Sequence, residues 1–342
     1  MFLFILLTAA LFTAVLTYKR IQLQTGFMAV VMSLGIMNFG VLELPQNHSM
    51  WNSTLYYVTL LILFTFWFHI FVSICKKIFI QKHAAASVNR FTMGTWVAGN
   101  SIMIVLTHYM FGFHHAWISF FAIANVLVWL CFIFLSIYTF GKGITEWKET
   151  TLHGNLFLTT VSTQSVAILL LTIFPQVSLA LIVMIIIFGL LFYLISFVFI
   201  TTHFSFSNWN ATNCIFHGAL SISGLTILFA DLLSMQSLVT LWLITLTTFI
   251  IIEILEITVF IKLVTRNNPF QVILSSNISH WSRLFTFCMF FTFTHLMKFP
   301  SPILQDIGQV LLTILCIVIF SLLILILMSG LYSGLNKKIS SH

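Results

Sequence analysis

The chain has 342 residues, of which 60% are hydrophobic and 6% charged, with 38 Phe and a formal charge of +7. That composition excludes a soluble globular fold, and so few charged residues leave no surface for a large soluble catalytic domain. The Lys and Arg residues are scattered over separate short connections, so the positive balance encodes membrane topology and not a nucleic-acid face.

Residues 2–17 are apolar and are followed, not preceded, by Lys19 and Arg20. This reverses the order of a secretory signal, so an uncleaved extra helix with its N-terminus outside, or an amphipathic lead-in, is expected. The expected division is an N-terminal apolar segment with a basic loop (1–24), one transmembrane transporter or channel domain (25–334) and a cytoplasmic tail (335–342).

From residue 26 onward two kinds of long apolar segment alternate. Segments 26–44, 93–111, 155–174, 211–230 and 281–297 are interrupted by Gly, Asn, Ser and Thr. Segments 55–75, 116–140, 178–202, 238–262 and 305–329 are nearly continuous Leu, Ile, Val and Phe. The first set holds seven glycines and the second two, which separates them by kind. A helix facing lipid finds no hydrogen-bond partners there. Small and polar residues in a span point instead to close helix contacts or a wet cavity. The expected fold is an all-α polytopic membrane protein in which five lined helices form an inner ring and five plain ones an outer ring. The lined segments start 67, 62, 56 and 70 residues apart, so each unit is one helical hairpin and the whole a ten-helix, pseudo-fivefold ring around a pore. An ordinary bundle of ten to eleven helices without symmetry is the competing arrangement.

Lys76, Lys77, Lys82 and Arg90 precede the segment at 93, Lys142 and Lys148 that at 155, and Lys262 and Arg266 that at 281; Lys337 and Lys338 end the chain. The opposite turns lack Lys and Arg apart from Lys298. The positive-inside rule therefore puts the C-terminus and the entry to each lined helix in the cytoplasm of a multi-pass plasma-membrane protein. Cys75, Cys131, Cys214, Cys288 and Cys316 all lie in apolar segments without a CxxC spacing and read as small core residues.

A charged solute in such a pore must exchange water for other donors. The lined helices offer Asn38, Asn100, Ser101, Thr159, Thr160, Thr163, Gln164, Ser221 and Ser223. Part of this set is expected to bond back to its own helix. The one Asp or Glu in the five lined segments is Glu43, at the very end of the first, whereas a cation path calls for acidic rings, so an anion or a neutral solute is expected. Arg283 either attracts anions at the cytoplasmic mouth or is a structural counter-ion. Glu253 and Glu256 stand one turn apart on a plain helix, at a depth Arg283 can reach, as an ion pair or as proton-coupling carboxylates. His217 and His280 are candidate pore-facing pH sensors. His203 with His217, and His69 with His83, are fourteen apart, a spacing seen in haem-ligating helices, although each pair spans an expected loop. His114 and His115 fall in a turn.

Several runs carry a family resemblance. They are Thr25-Gly26-Phe27 leading to Ser33-Leu34-Gly35, and Arg90-Phe91-Thr92-Met93-Gly94-Thr95-Trp96-Val97-Ala98-Gly99. Further along come Ser162-Thr163-Gln164-Ser165-Val166-Ala167, Asn208-Trp209 with His217-Gly218-Ala219-Leu220-Ser221-Ile222, and His280-Trp281-Ser282-Arg283-Leu284-Phe285-Thr286-Phe287. In this order the runs resemble the five pore helices of the tellurite-resistance/dicarboxylate transporter family, which includes malate permeases, sulfite exporters and slow-type anion channels. The resemblance spans 25–334 and implies a ten-helix subunit, a homotrimer in the lipid bilayer, and a bacterial source. It also implies a Phe plug four residues after a Trp, here Phe285 after Trp281, with Phe287 as the neighbouring gate candidate. Two residues on a helix rotate by about 200°, so Phe285 and Phe287 cannot both face one axis. Departing from relatives with proline-kinked pore helices, Pro45, Pro175, Pro269, Pro300 and Pro302 all fall in expected turns. Kinks are therefore expected at Gly35, Gly94, Gly99 or Gly218, or at Ser/Thr clusters.

The expected function is an anion channel or secondary transporter for dicarboxylate, halide, nitrate or sulfite-like solutes, gated by the aromatic plug. No nucleic acid, cofactor or metal is expected. The alternative is a polytopic membrane enzyme or haem-binding redox subunit. An enzyme is not expected, because metal-ligand spacings and an HExxH helix are missing.

Overall fold

A computed structural model describes residues 2–43, 49–112, 116–146, 154–202, 209–266 and 279–339. Pro45, His114, His115, Lys148, His203, Asn208 and Pro269 lie outside the described residues. The chain starts with α1 (Phe2–Tyr18), followed by a tight 3-10 turn (Thr25–Phe27) that leads into α2 (Met28–Ile36). A π-turn (Met37–Val41) ends α2, and α3 (Met50–Cys75), α4 (Ser87–Thr92), α5 (Gly94–Phe111) and α6 (Ala116–Glu146) follow. Next come α7 (Leu158–Ile173), α8 (Leu179–Thr202), α9 (Ile215–Phe229), α10 (Met235–Arg266), α11 (Ser279–Leu296) and α12 (Pro302–Ile339). There is no strand among the described residues.

Seven segments are long and apolar enough to cross a membrane, so the protein is an all-α, multi-pass membrane protein. They comprise α3, α6, α8, α10 and α12, together with α7 and α9 extended by their entry turns. Of the ten windows expected as spans, those of α2, α5 and α11 do not meet this measure. The reason is physical. The α2 segment with its turns (Thr25–Val41) is apolar but short, while α5 and α11 carry the small and polar residues of the lined class, and a helix shielded by other helices need not be uniformly apolar. Burial supports that account. In the α7 and α9 segments 72% and 78% of the most apolar window is buried, against 17–39% in α3, α6, α8, α10 and α12.

The lined helices touch one another in order: α2 packs on α5, α5 on α7, α7 on α9, α9 on α11, and α11 on α2. Each plain helix lies on its own lined predecessor, α3 on α2, α6 on α5, α8 on α7, α10 on α9 and α12 on α11. Helix α1 rests on α3, where the Thr13 hydroxyl donates to the Thr65 carbonyl at 3.2 Å.

Small residues permit the close approach of lined helices. A Cβ on Gly35 would meet Ile102 of α5 at 2.8 Å, and one on Gly224 would meet the Phe293 ring of α11 at 2.4 Å. Irregular backbone occurs next to two of the four expected glycines, Gly35 and Gly94, whereas Gly99 and Gly218 lie inside unbroken helices. The π-turn of α2 begins two residues after Gly35, and the chain breaks between α4 and α5 at Met93, beside Gly94. Pro302 opens α12, where its missing N–H costs nothing.

Lined helices are also entered through tight turns. The turns at Gly154–Phe157 and Ala211–Cys214 interlock: the Gly154 N–H donates to Asn213 Oδ1 at 2.9 Å, and Asn210 caps Thr212. A Cβ on Gly154 would sit 2.1 Å from the Thr212 carbonyl oxygen, which is backbone and cannot swing away. Gly154→Ala is thus expected to lower stability by about 1–3 kcal/mol, read as a lower Tm in detergent. Gly141→Ala, with nothing within 4 Å, should be neutral or slightly stabilising.

At the entry of α2, Trp96 Nε1 donates to the Thr25 carbonyl at 2.8 Å and His83 Nδ1 pairs with the Thr25 hydroxyl at 2.9 Å. Burial, then the Lys82 and His69 charges, push the His83 imidazole from 6.5 down to about 4. His83 is therefore neutral in the fold and charges in the unfolded chain. The unfolded state binds the extra proton below about pH 6.5, so stability is lost as pH falls from there towards 4. Replacing His83 with Gln should flatten that stretch of a Tm-versus-pH curve.

Candidate functional site

The five lined helices enclose a cavity of about 40 Å³. Its wall takes Met32, Ile36 and Phe39 from α2 and its π-turn, and Ala98, Ser101, Ile102 and Val105 from α5. Ser165 and Ile168 of α7, Ile222, Leu225 and Phe229 of α9, and Phe285 and Met289 of α11 complete it. On every helix these positions recur at three- and four-residue steps, which is one helical face. Phe39 and Phe229 meet edge to face with ring centroids 6.3 Å apart near the ends of their helices. Phe285 lies near the start of α11 and is 3% exposed. Among the described residues the polar side chains in the wall are Ser101 and Ser165, whose hydroxyls are 3.4 Å apart.

Phe287 points elsewhere. Its ring packs at 5.1 Å on Phe249 of α10 and at 6.3 Å on His217, and the Arg283 guanidinium lies 5.8 Å above it. The rotation of about 200° between the two phenylalanines accounts for this split.

Asn38, Asn100, Thr160, Thr163, Gln164, His217, Ser221 and Arg283, expected to line a pore, do not border this cavity. Most of them turn towards the outer helices instead. Asn38 donates to the Asn52 carbonyl of α3 at 3.0 Å. Asn100 accepts from Trp67 of α3 at 2.9 Å and donates to Asn125 of α6 at 3.1 Å. Thr163 accepts from Trp129 of α6, and Gln164 donates to the Ile186 carbonyl of α8 at 3.1 Å. Ser221 bonds back to the His217 carbonyl, as Ser223 does to Ala219 and Thr159 to Leu156. Thr160 is fully buried and its hydroxyl has no partner among the described residues. Interhelical hydrogen bonds of this kind contribute about 0.6 kcal/mol each on average in lipid. The sequence signal that would have found the cavity was helical phase, not polarity.

A second polar group lies where α9, α10 and α11 meet. Arg283 forms charge-assisted hydrogen bonds to Glu253 Oε2 and, at 3.3 Å, to Glu256 Oε1, while Trp209 Nε1 donates to Glu256 Oε2. His217 is fully buried with Nε2 3.9 Å from Glu253 Oε1, too far for a hydrogen bond, and packs against Phe249 at 4.9 Å. Arg283 thus has both Nη groups committed to carboxylates, and it acts as a counter-ion to two acids. His69 and His83, fourteen residues apart, each have their own hydrogen-bond partner. His69 Nε2 accepts the Leu23 N–H and His83 faces Thr25. Among the described residues no three His, Cys, Asp or Glu side chains cluster as metal ligands.

No protein-family model matches this chain, and no curated protein matches it. Removing Arg283 strands two carboxylates in a partly buried site. Arg283→Ala should cost about 3–5 kcal/mol, seen as a lower folded yield and Tm. The triple replacement Arg283→Met, Glu253→Gln and Glu256→Gln should restore much of that loss.

Proposed function

We propose that this protein is a membrane transport protein in which the ten helices from α2 to α12, with α4 as the short lead to α5, form a pseudo-fivefold ring. Five inner helices would surround a solute path and five outer helices would meet lipid. The single observation that carries this proposal is a cavity walled by one face from each of α2, α5, α7, α9 and α11. The order of contacts, with α11 packing back on α2, supports it. A cavity of about 40 Å³ with an almost wholly apolar wall fits a closed state, because apolar constrictions block ions by dewetting.

The proposed solute is a small anion, of dicarboxylate, halide, nitrate or sulfite type. Among the described residues the wall carries no Asp, Glu, Lys or Arg, so nothing there selects for cations; the Ser101 hydroxyl, which accepts from Asn125, can donate, whereas Ser165 gives its proton to the Ser162 carbonyl. The resemblance of the five motif runs to the tellurite-resistance/dicarboxylate transporters points the same way and extends the proposal to a homotrimer. Phe285 is the proposed plug. The protein would sit in the plasma membrane with its Lys- and Arg-rich connections in the cytoplasm. No catalytic role and no cofactor are part of this proposal.

Phe285→Ala should raise anion flux in proteoliposomes, because it removes a bulky ring from the cavity wall. Phe287→Ala should leave flux unchanged and lower Tm, since that ring packs on α10 and Arg283. Equal flux for wild type and Phe285→Ala, with both proteins folded, would remove Phe285 from the gate. A panel of anions with and without a pH gradient separates channel from coupled carrier.

A further inference from the structure

A larger cavity, of about 330 Å³, lies off the central axis between α3, α5 and α6. Its floor is α5, through Asn100, Met103, Ile104 and Thr107, and its sides are α3 (Leu60, Leu63, Phe64, Trp67) and α6 (Trp117 to Val128). It lies within the size range of about 300–1,000 Å³ seen for small-molecule sites. Its rim reaches the outer surface, because Trp117 and Phe121 are 39% and 45% exposed.

The polar groups in this wall are bonded within the protein. Trp67 Nε1 donates to Asn100 Oδ1, Asn100 Nδ2 donates to Asn125 Oδ1, and Asn125 Nδ2 donates to Ser101 Oγ at 2.9 Å. The Thr107 hydroxyl pairs with Tyr56 at 2.8 Å and donates to the Met103 carbonyl. With those groups satisfied, the wall presents hydrocarbon and aromatic surface. Water has little reason to enter, since an apolar cavity of about 150 Å³ already stays dry and takes up benzene. In a multi-pass protein the medium outside the rim of two outer helices, near the middle of α3, is the hydrocarbon core of the bilayer.

We infer that this cavity is a binding site for one acyl chain of a bilayer phospholipid, which enters between α3 and α6 and lies against Trp67 and α5. The inference does not depend on the transport proposal, because it needs only the membrane setting. It places a lipid chain on the reverse side of the helix that carries Ala98, Ser101 and Val105 to the central cavity.

The test is photo-labelling of the purified full chain in phosphatidylcholine vesicles containing phosphatidylcholine with a mid-chain diazirine, followed by peptide mapping. Adducts should concentrate on Leu63, Trp67, Met103, Ile104 and Ala124, above the level on the exposed α12 residues Ile314 and Ile317. Ala124→Phe and Ile104→Phe fill the cavity from opposite walls. Each should reduce the adducts there to the α12 level, with α12 labelling unchanged as the internal standard. Wild-type adducts no denser than on α12 would overturn the assignment, and this outcome needs no variant to fold. So would undiminished labelling in both folded variants. A diazirine fatty acid is the comparison arm: labelling by it but not by the phospholipid would also overturn the assignment, as would cross-links from this cavity to a second copy of the chain in place of lipid.

Discussion

Lipid offers no hydrogen bonds, and that constraint arranges most of the polar side chains in this protein. Asn38, Asn100, Thr163 and Gln164 sit on lined helices and could have faced a central axis, yet each bonds to the outer helix beside it. A buried amide left without a partner in the bilayer interior costs several kcal/mol. Neighbouring carbonyls and indoles are the partners within reach. The same arrangement joins α10 to α11, where Trp242 Nε1 donates to the Thr294 hydroxyl at 3.0 Å. Polar fastenings of this kind tie α2 to α3, α5 to α6 and α7 to α8, and one crosses from α10 to α11.

Once the polar groups are turned outward, the face left for the axis is apolar. Ile36, Val105, Ile168, Ile222 and Phe285 meet there, and the central cavity is small as a result. Glycines at lined-helix contacts bring backbones close, as Gly35 does against Ile102 and Gly224 against Phe293, and this narrows the space further. Tight packing and a small cavity between the lined helices therefore share one cause.

Charge follows the same logic with higher stakes. Glu253, Glu256 and Arg283 are costly in a membrane protein unless they meet, and they meet across α10 and α11. With both Nη groups of Arg283 engaged, the positive charge of this residue is offset by two carboxylates. His217, beside them and without a hydrogen bond of its own, is the least settled member of the group.

Composition and the alternation of interrupted and plain apolar segments determined by themselves that the chain is an all-α multi-pass membrane protein, because twenty-residue apolar windows have no other stable setting. They also separated the more buried helices from the more exposed ones, since lipid tolerates only the plain kind on its side. Residue-type reasoning reached the Arg283 partners as well, because intramembrane charges must pair. Of the cavity wall it reached Ser101 and, through the family resemblance, Phe285, but not the apolar residues that make up the rest. Asn, Thr and Gln were chosen for polarity, whereas the direction of each side chain depends on helix phase and on which neighbour holds a free carbonyl or indole. That information belongs to the packing of helices far apart in the chain. Only the tertiary structure decided that Asn100 faces Trp67 and Asn125 while Ile102, two residues on, borders the cavity between the lined helices, because a rotation of about 200° separates glue from wall.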